Sequence, residues 1–426
     1  HGPRLQLSDC EGDRLGQLCY SRSFDLVFVA KKDHVVTYSG NALVSTCVAG
    51  GQAPKPLCSL GEGTLPSILR ASEDAHGEGP GLLCVASAQG KVAFYGLEEA
   101  ADAGESVEVF QTEFDAEVSE VKWRVWDVLV LTNDSRVFLV KPLEGAVECV
   151  FNPIDFWPYT FATDGASDFV LLGGEPSDAP CSFSNLRALD VTTGEATLIG
   201  ISEPFSLPEG FDETFSKGRC RGLTCMRSIS GSWDRTSSSV MCFFVHESEE
   251  EDITTVQAVL EISPGVASAK LVAIDEQLIG INDQPDEMLL HSMWAPEWSL
   301  FLMGASASGD VALLSSRRRF LEMEEGASKI GWVRVVPPEG KQLQESQDLR
   351  GLCLLSSFTG QVTKTVDRVE CKLIAPPVVL LANAGGGISV HFMMHDFEME
   401  RPAHVPRPKP RAQRPQAVAR GNSATP

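Results

Sequence analysis

The sequence of 426 residues lacks any apolar run approaching the roughly 18 to 20 residues of a membrane-crossing helix, and its longest apolar stretches are strand-sized. That excludes a helical membrane span, and no membrane partner is expected. Positive charge is scarce as well: 35 Lys and Arg stand against 58 Asp and Glu, a formal charge of -23. Such a chain repels a phosphate backbone, so the expected partner is basic and direct nucleic-acid binding is not expected. The twelve cysteines lack paired CxxC units, and their closest spacing, Cys220 to Cys225, does not make a structural zinc site. Several lie inside apolar runs, Cys84 in LLCVA and Cys242 in VMCFFV, and read as small buried hydrophobes of a reducing compartment. The chain opens at His1 with neither an initiator Met nor the basic, apolar, small-residue order of a signal peptide, the expectation for a partial or processed chain. Long helical periodicity is missing too.

What is present is a globular composition, 43% hydrophobic and 22% charged, carried by a recurring local pattern. LVFVAKKDHVVTY (26–38), LLCVASAQGKVAFY (82–95), VLVLTNDSRVFLV (128–140), LFLMGASASGDVALL (300–314) and VVLLANAGGGISVHF (378–392) each join an apolar run to an alternating one through a small polar turn. Each reads as a hairpin with a buried first strand and a second strand of period two. ALDVTTGEATLIG (188–200) and the two runs within 240–262 read as further hairpins. Hairpins returning every roughly 40 to 80 residues, with no helices between them to build a parallel sheet, predict an all-β propeller of about seven blades. Two consecutive β-sandwiches are the alternative architecture. Trp126-Asp127 and Trp233-Asp234 have no spaced Gly-His partner, and the first precedes its apolar strand, so the blades are degenerate and WD-like rather than regular.

Composition divides the chain into a propeller over 1–395 and a tail over 396–426. From Arg401 the tail holds six prolines, five arginines and Lys409 with no acidic residue, and it is expected to be extended and disordered. The run HESEEED (246–252) reads as a hairpin tip at one rim, or as a docking surface for basic side chains.

Catalytic patterns are thin. GASASG (304–309) has the wrong spacing for a nucleophile elbow and joins strand to strand, and the glycines of NAGGGISV (383–390) precede a strand where phosphate cradling needs a helix. His391 and His395, with Asp396 and Glu398 nearby, stand without a further ligand cluster. No catalytic residue, metal or cofactor is therefore assigned.

The stretches EWSLFLMGASASGDVALLSS (297–316), IGWVRVV (330–336) and above all APPVVLLANAGGGISVHFMM (375–394) resemble the end of the N-terminal propeller of the CAN-type nucleoporins, found on the cytoplasmic face of the nuclear pore complex. SEVKW with VLVLTNDSRVFLV (119–140) and EPFSLPEGFDE (203–213) look like matching parts of that domain, so the resemblance covers about residues 15 to 395. It implies a seven-bladed, monomeric propeller that is not an enzyme, works among other nucleoporins, and docks the DEAD-box helicase of mRNA export through an acidic surface. In the family a basic side chain on the loop after the tryptophan-bearing strand enters an acidic pocket of the helicase. Here that loop is PPEGKQLQESQDLR (337–350), and Lys341 occupies the matching place where the family usually has Arg. A Lys lacks the planar guanidinium fork, which weakens the contact. Glu339, Gln344, Glu345 and Asp348 are the expected secondary contacts, whereas Arg317, Arg318 and Arg319 read as a solvated rim. No Phe-Gly repeats and no coiled-coil heptads follow the propeller. The alternatives are a generic propeller scaffold in another assembly and, less favoured, a propeller hydrolase with its ligands at the central channel.

Overall fold

A computed structural model describes residues 4–7, 17–63, 65–72, 79–102, 104–124, 126–163, 168–175, 185–201, 218–226, 238–247, 253–263, 268–275, 290–295, 300–306, 311–315, 333–334, 349–355, 358–366, 369–374, 376–383 and 387–392. The chain divides by its contacts into His1–Met394 and His395–Pro426, and the second unit lies outside the described residues.

The first strand is Arg4–Gln6 (β1), which joins the last blade. The first blade then takes Leu18–Ser21 (β2), Leu26–Ala30 (β3), Val35–Ser39 (β4) and Cys58–Leu60 (β5), with helix Gly40–Val48 (α1) inserted before β5. The second is Pro66–Ala71 (β6), Leu82–Ser87 (β7), Lys91–Gly96 (β8) and Glu108–Glu113 (β9), with Leu97–Asp102 (α2) preceding β9. The third is Val118–Arg124 (β10), Asp127–Thr132 (β11), Val137–Lys141 (β12) and Ala146–Phe151 (β13); the fourth is Trp157–Ala162 (β14), Phe169–Glu175 (β15), Leu186–Asp190 (β16) and Ala196–Leu198 (β17). Gly200–Ile201 (β18) runs parallel to the outer strand of the fifth blade, which is Arg219–Met226 (β19), Ser238–Glu247 (β20), Ile253–Ser263 (β21) and Ser268–Asp275 (β22). The sixth holds Leu290–Ala295 (β23), Leu300–Ala305 (β24), Val311–Ser315 (β25) and Val333–Arg334 (β26). Leu349–Leu355 (β27) opens the seventh. A separate hairpin follows, Gln361–Val366 (β28) with Val369–Ile374 (β29), and then Val378–Asn383 (β30) and Gly387–Phe392 (β31).

The ring closes because β1 is the outer strand of that seventh blade, pairing Arg4 with Ser389, Leu5 with Ile388 and Gln6 with Gly387. The inner strands form an unbroken cycle of neighbours, β2, β6, β10, β14, β19, β23, β27 and back to β2. The chain is thus an all-β, seven-bladed propeller, and the alternative of two sandwiches falls to this closure.

Every hairpin read from the sequence forms, but two of the second strands are more buried than a period of two requires: β4 and β8 bury both faces almost throughout. The reason lies in the packing. Described apolar side chains gather into seven clusters, one between each pair of adjacent blades. Leu26, Phe28 and Ala30 meet Leu69, Leu83 and Val85 of the second blade, while Val27 and Val29 meet Cys353, Val378 and Leu380 of the seventh. A middle strand therefore has no solvent face, and both of its side-chain rows must be apolar. Burial of each large side chain in such a seam, Phe28 or Phe94 for example, contributes on the order of 2 to 3 kcal/mol.

Two elements depart from the sequence pattern. Helix α1 forms although its residues show no long apolar periodicity, because its start is fixed locally: the Ser39 hydroxyl accepts from the Ala42 N–H, and Asp25 Oδ2 accepts from the Asn41 N–H and the Ser39 hydroxyl. Asp127 opens β11 rather than closing a strand, which agrees with the degenerate, WD-like reading of Trp126-Asp127; Trp233-Asp234 lies outside the described residues. At the turn between β7 and β8, Gly90 adopts φ +85°, and a Cβ there would press on the Phe114 carbonyl, so the small turn residue is a requirement of the geometry.

Candidate functional site

Lys341, Glu339, Gln344, Glu345 and Asp348 lie outside the described residues, as do Arg317, Arg318, Arg319, the 248–252 part of the HESEEED run, and His395, Asp396 and Glu398. His391 sits on β31 with its Nε2 2.9 Å from the Ser389 hydroxyl. Among the described residues no group of three or more His, Cys, Asp or Glu is placed to hold a metal ion.

The described structure brings together a different charged surface. Between Leu97 and Glu117 stand eight acidic residues and no Lys or Arg. Folding α2 against β8 and β9 places them on the outer edge of the second blade, where Glu98, Asp102, Glu105, Glu108, Glu113, Asp115 and Glu117 are exposed. Leu97 and Ala100 turn inward and fasten α2 to the core, while Val107 and Val109 remain 38% and 36% exposed among the acids. Burial, with the negative charge of Glu108 added, pushes the Tyr95 phenol up to about 12. An acidic edge interleaved with valines suits a basic, amphipathic segment of a partner. The signal was in the sequence as a thirty-residue gap in basic charge between Lys91 and Lys122, which the hairpin reading passes over.

The inner strands carry polar side chains, and several of these hold neighbouring blades together. On β10, Glu120 and Lys122 share a face and lie 2.7 Å apart. Glu120 accepts from the Thr160 hydroxyl and the Phe161 N–H, each at 2.9 Å, and Lys122 donates to the Phe161 and Leu223 carbonyls, the latter at 2.8 Å. Thr160 in turn accepts from the Leu223 N–H at 3.3 Å, and Thr224 and Ser292 share a 2.5 Å hydroxyl contact between the fifth and sixth blades. Farther round, Gln17 Oε1 takes hydrogen bonds from the Leu69 N–H and Arg70 Nη1, and Trp123 Nε1 donates to the Arg70 carbonyl. His291 on β23 is nearly fully buried, and burial followed by the charges of Arg70 and Arg350 holds its imidazole down to about 4. Cys84, Cys220, Cys242 and Cys353 are buried thiols whose ionisation burial pushes up, the opposite of an activated nucleophile.

No family model matches the chain, and no curated protein does. Solved structures do. A chain in the complex of S. cerevisiae Dbp5 bound to Nup159, Gle1, IP6 and ADP is 12% identical, with a TM-score of 0.53 over 92% of this chain and 94% of that one. The N-terminal domain of Nup159 is 12% identical, with a TM-score of 0.51 over 91% and 93%. The propeller domain of Cps50 (Swd1) from Myceliophteria thermophila is 11% identical, with a TM-score of 0.54 over 92% and 100%. At these identities the likeness establishes the architecture: this chain is a seven-bladed β-propeller built like those of Nup159 and Swd1.

Proposed function

We propose that the chain is a non-enzymatic interaction domain of a nucleoporin at the cytoplasmic face of the nuclear pore complex, recruiting a DEAD-box RNA helicase for mRNA export. The observation that carries the reading is the acidic edge of the second blade, a surface rich in carboxylates and free of Lys and Arg, on a propeller with the fold of the Nup159 N-terminal domain. Complementary fields of this kind raise association rates and select basic partners. Lys341 is the proposed insertion residue, with Glu339, Gln344, Glu345 and Asp348 around it, on a propeller over 1–395 that acts as a monomer beside other nucleoporins.

The test is binding of the full chain to an export helicase at low and moderate salt, with and without single-stranded RNA. A one-to-one complex that weakens with salt, is displaced by RNA and is impaired by Lys341→Glu supports the reading. No complex at tens of micromolar protein, from a folded chain retested without its tail, overturns it. The comparable TM-score of the Swd1 propeller favours a second reading, a propeller scaffold in a different assembly. A partner captured by the same acidic edge but indifferent to RNA would select that one.

A further inference from the structure

Between the outer strands of the third and fourth blades the apolar seam leaves a groove of about 360 Å³, open to solvent. Val150 and Phe151 of β13, Ile154 and Asp155 of the connection to β14, and Arg187 and Ala196 of the fourth blade line it. Val150 and Phe151 are nearly buried members of the seam, and Ala196 packs against it, so the inner wall is apolar and firmly built. Arg187 is the lone positive charge of the lining, and it is already met. Its Nη2 donates to Asp155 Oδ2 at 3.2 Å, its guanidinium lies 5.0 Å from the Phe156 ring centre, and 13% of the side chain is exposed. The volume is at the small end of ligand sites, room for one large side chain and its neighbours.

Ile154 is 86% exposed, more than any other large apolar side chain among the described residues. A single exposed isoleucine is ordinary on a protein surface, but this one stands at the mouth of an apolar groove, where filling the groove and covering the side chain are one event. The charge around the mouth is negative. Leu139, which belongs to the seam, faces Glu148 across the ladder of β12 and β13, so Glu148 shares the side of the strand turned to the fourth blade. Glu195 stands between Gly194 and Ala196, both of which line the groove. Both glutamates are exposed, and among the described residues neither is in an ion pair. Such a rim repels an anion and draws a basic group. Since β13 is the outer strand of its sheet and Ala146, Val147, Glu148 and Cys149 are exposed, its edge is open to the main chain of an extended segment. We infer that this groove docks an extended segment of a partner protein carrying one aliphatic or aromatic anchor flanked by Lys or Arg. The anchor packs on Phe151 and Ala196 under Ile154, and the flanking charges meet Glu148 and Glu195. The groove belongs to other blades than the acidic edge, so the proposal stands or falls independently of helicase docking.

The probe is a phage-displayed library of random peptides about a dozen residues long, selected on the full chain at moderate salt; the enriched sequence is then synthesised with a fluorophore and its affinity read by polarisation. The expected consensus has one Leu, Ile or Phe with Lys or Arg on both sides. Its affinity is expected to fall about fivefold or more in Ile154→Ser and in each of Glu148→Lys and Glu195→Lys, and by less than about twofold in Glu62→Lys, which makes the same charge change at an exposed residue between β5 and β6. All of these positions are exposed, so the variants are expected to fold. A consensus that is acidic or lacks the apolar anchor overturns the proposal, as does a library that yields no enriched sequence. Peptide binding unchanged by the three groove substitutions also overturns it, by placing the peptide on a different face. So does a dimer of the chain in sedimentation that Ile154→Ser abolishes, since the occupant is then a second copy.

Discussion

The ammonium of Lys122 on the third blade donates to the carbonyl of Leu223 on the fifth, at 2.8 Å, passing the Phe161 carbonyl of the fourth on the way. One side chain therefore ties three consecutive inner strands, and its charge is met by Glu120 beside it. Replacing Lys122 with Met leaves Glu120 and two carbonyls without their donor. With both side chains about one-fifth exposed, the expected loss is about 2 to 3 kcal/mol, below the cost of a fully buried pair broken on one side. Replacing Glu120 with Gln as well removes the stranded charge and is expected to restore part of that loss. Denaturant melts of the two single variants and the double variant measure the coupling.

Acid is expected to weaken the propeller through His291. Its folded pKa of about 4 lies below the 6.5 of an unfolded histidine, so the unfolded chain binds more protons between those values. The contribution is complete above pH 6.5 and is lost as the pH falls toward 4, to a total of about 3 kcal/mol. Subtracting the pH profile of His291→Gln from that of wild type isolates this slope from the many carboxylates. A difference curve flat across the window would place the imidazole in a solvated setting.

Charge on the second blade is expected to govern partner association. Reversing Glu105, Glu113 and Glu117 to Lys exchanges three exposed negative charges for positive ones along the second blade. The association rate with a basic partner is expected to fall by about an order of magnitude at low salt, with a flatter salt dependence. Stopped-flow mixing at several ionic strengths reads both, and an unchanged rate would place the partner on a different face.

Gly174 on β15 carries no positive φ, yet a Cβ at this position would run into the Trp157 carbonyl of β14. Since the obstacle is backbone, it cannot rotate away, and Gly174→Ala is expected to destabilise by about 2 to 4 kcal/mol. A thermal melt within about 1 °C of wild type would mean that the strands part to admit the methyl group.

The hairpins were legible because both rows of a blade's middle strands are apolar, as at Leu26–Ala30 and Leu82–Ser87, and because small turn residues mark their reversals. Helix α1 was not, since Asp25 and Ser39 hold its first turn from fourteen residues apart. The Lys122 bridge was also hidden: Glu120 and Lys122 are two apart in SEVKW, but the carbonyls to which Lys122 donates are 39 and 101 residues farther along the chain. The Lys341 loop came from family resemblance, and the acidic edge was readable as a gap in basic residues.

The closure of the seventh blade also has a mechanical meaning. Arg4 faces Ser389 and Gln6 faces Gly387, so the free end of β1 and the free end of β31 lie at the same end of an antiparallel pair. Tension drawn between these two ends acts across the hydrogen bonds and breaks them in succession, as a zipper opens, instead of loading all of them together in shear. The strand pair that completes the seventh blade is thus the place where a pulling force opens the ring first, while the seven apolar seams between adjacent blades lie outside the path of that force.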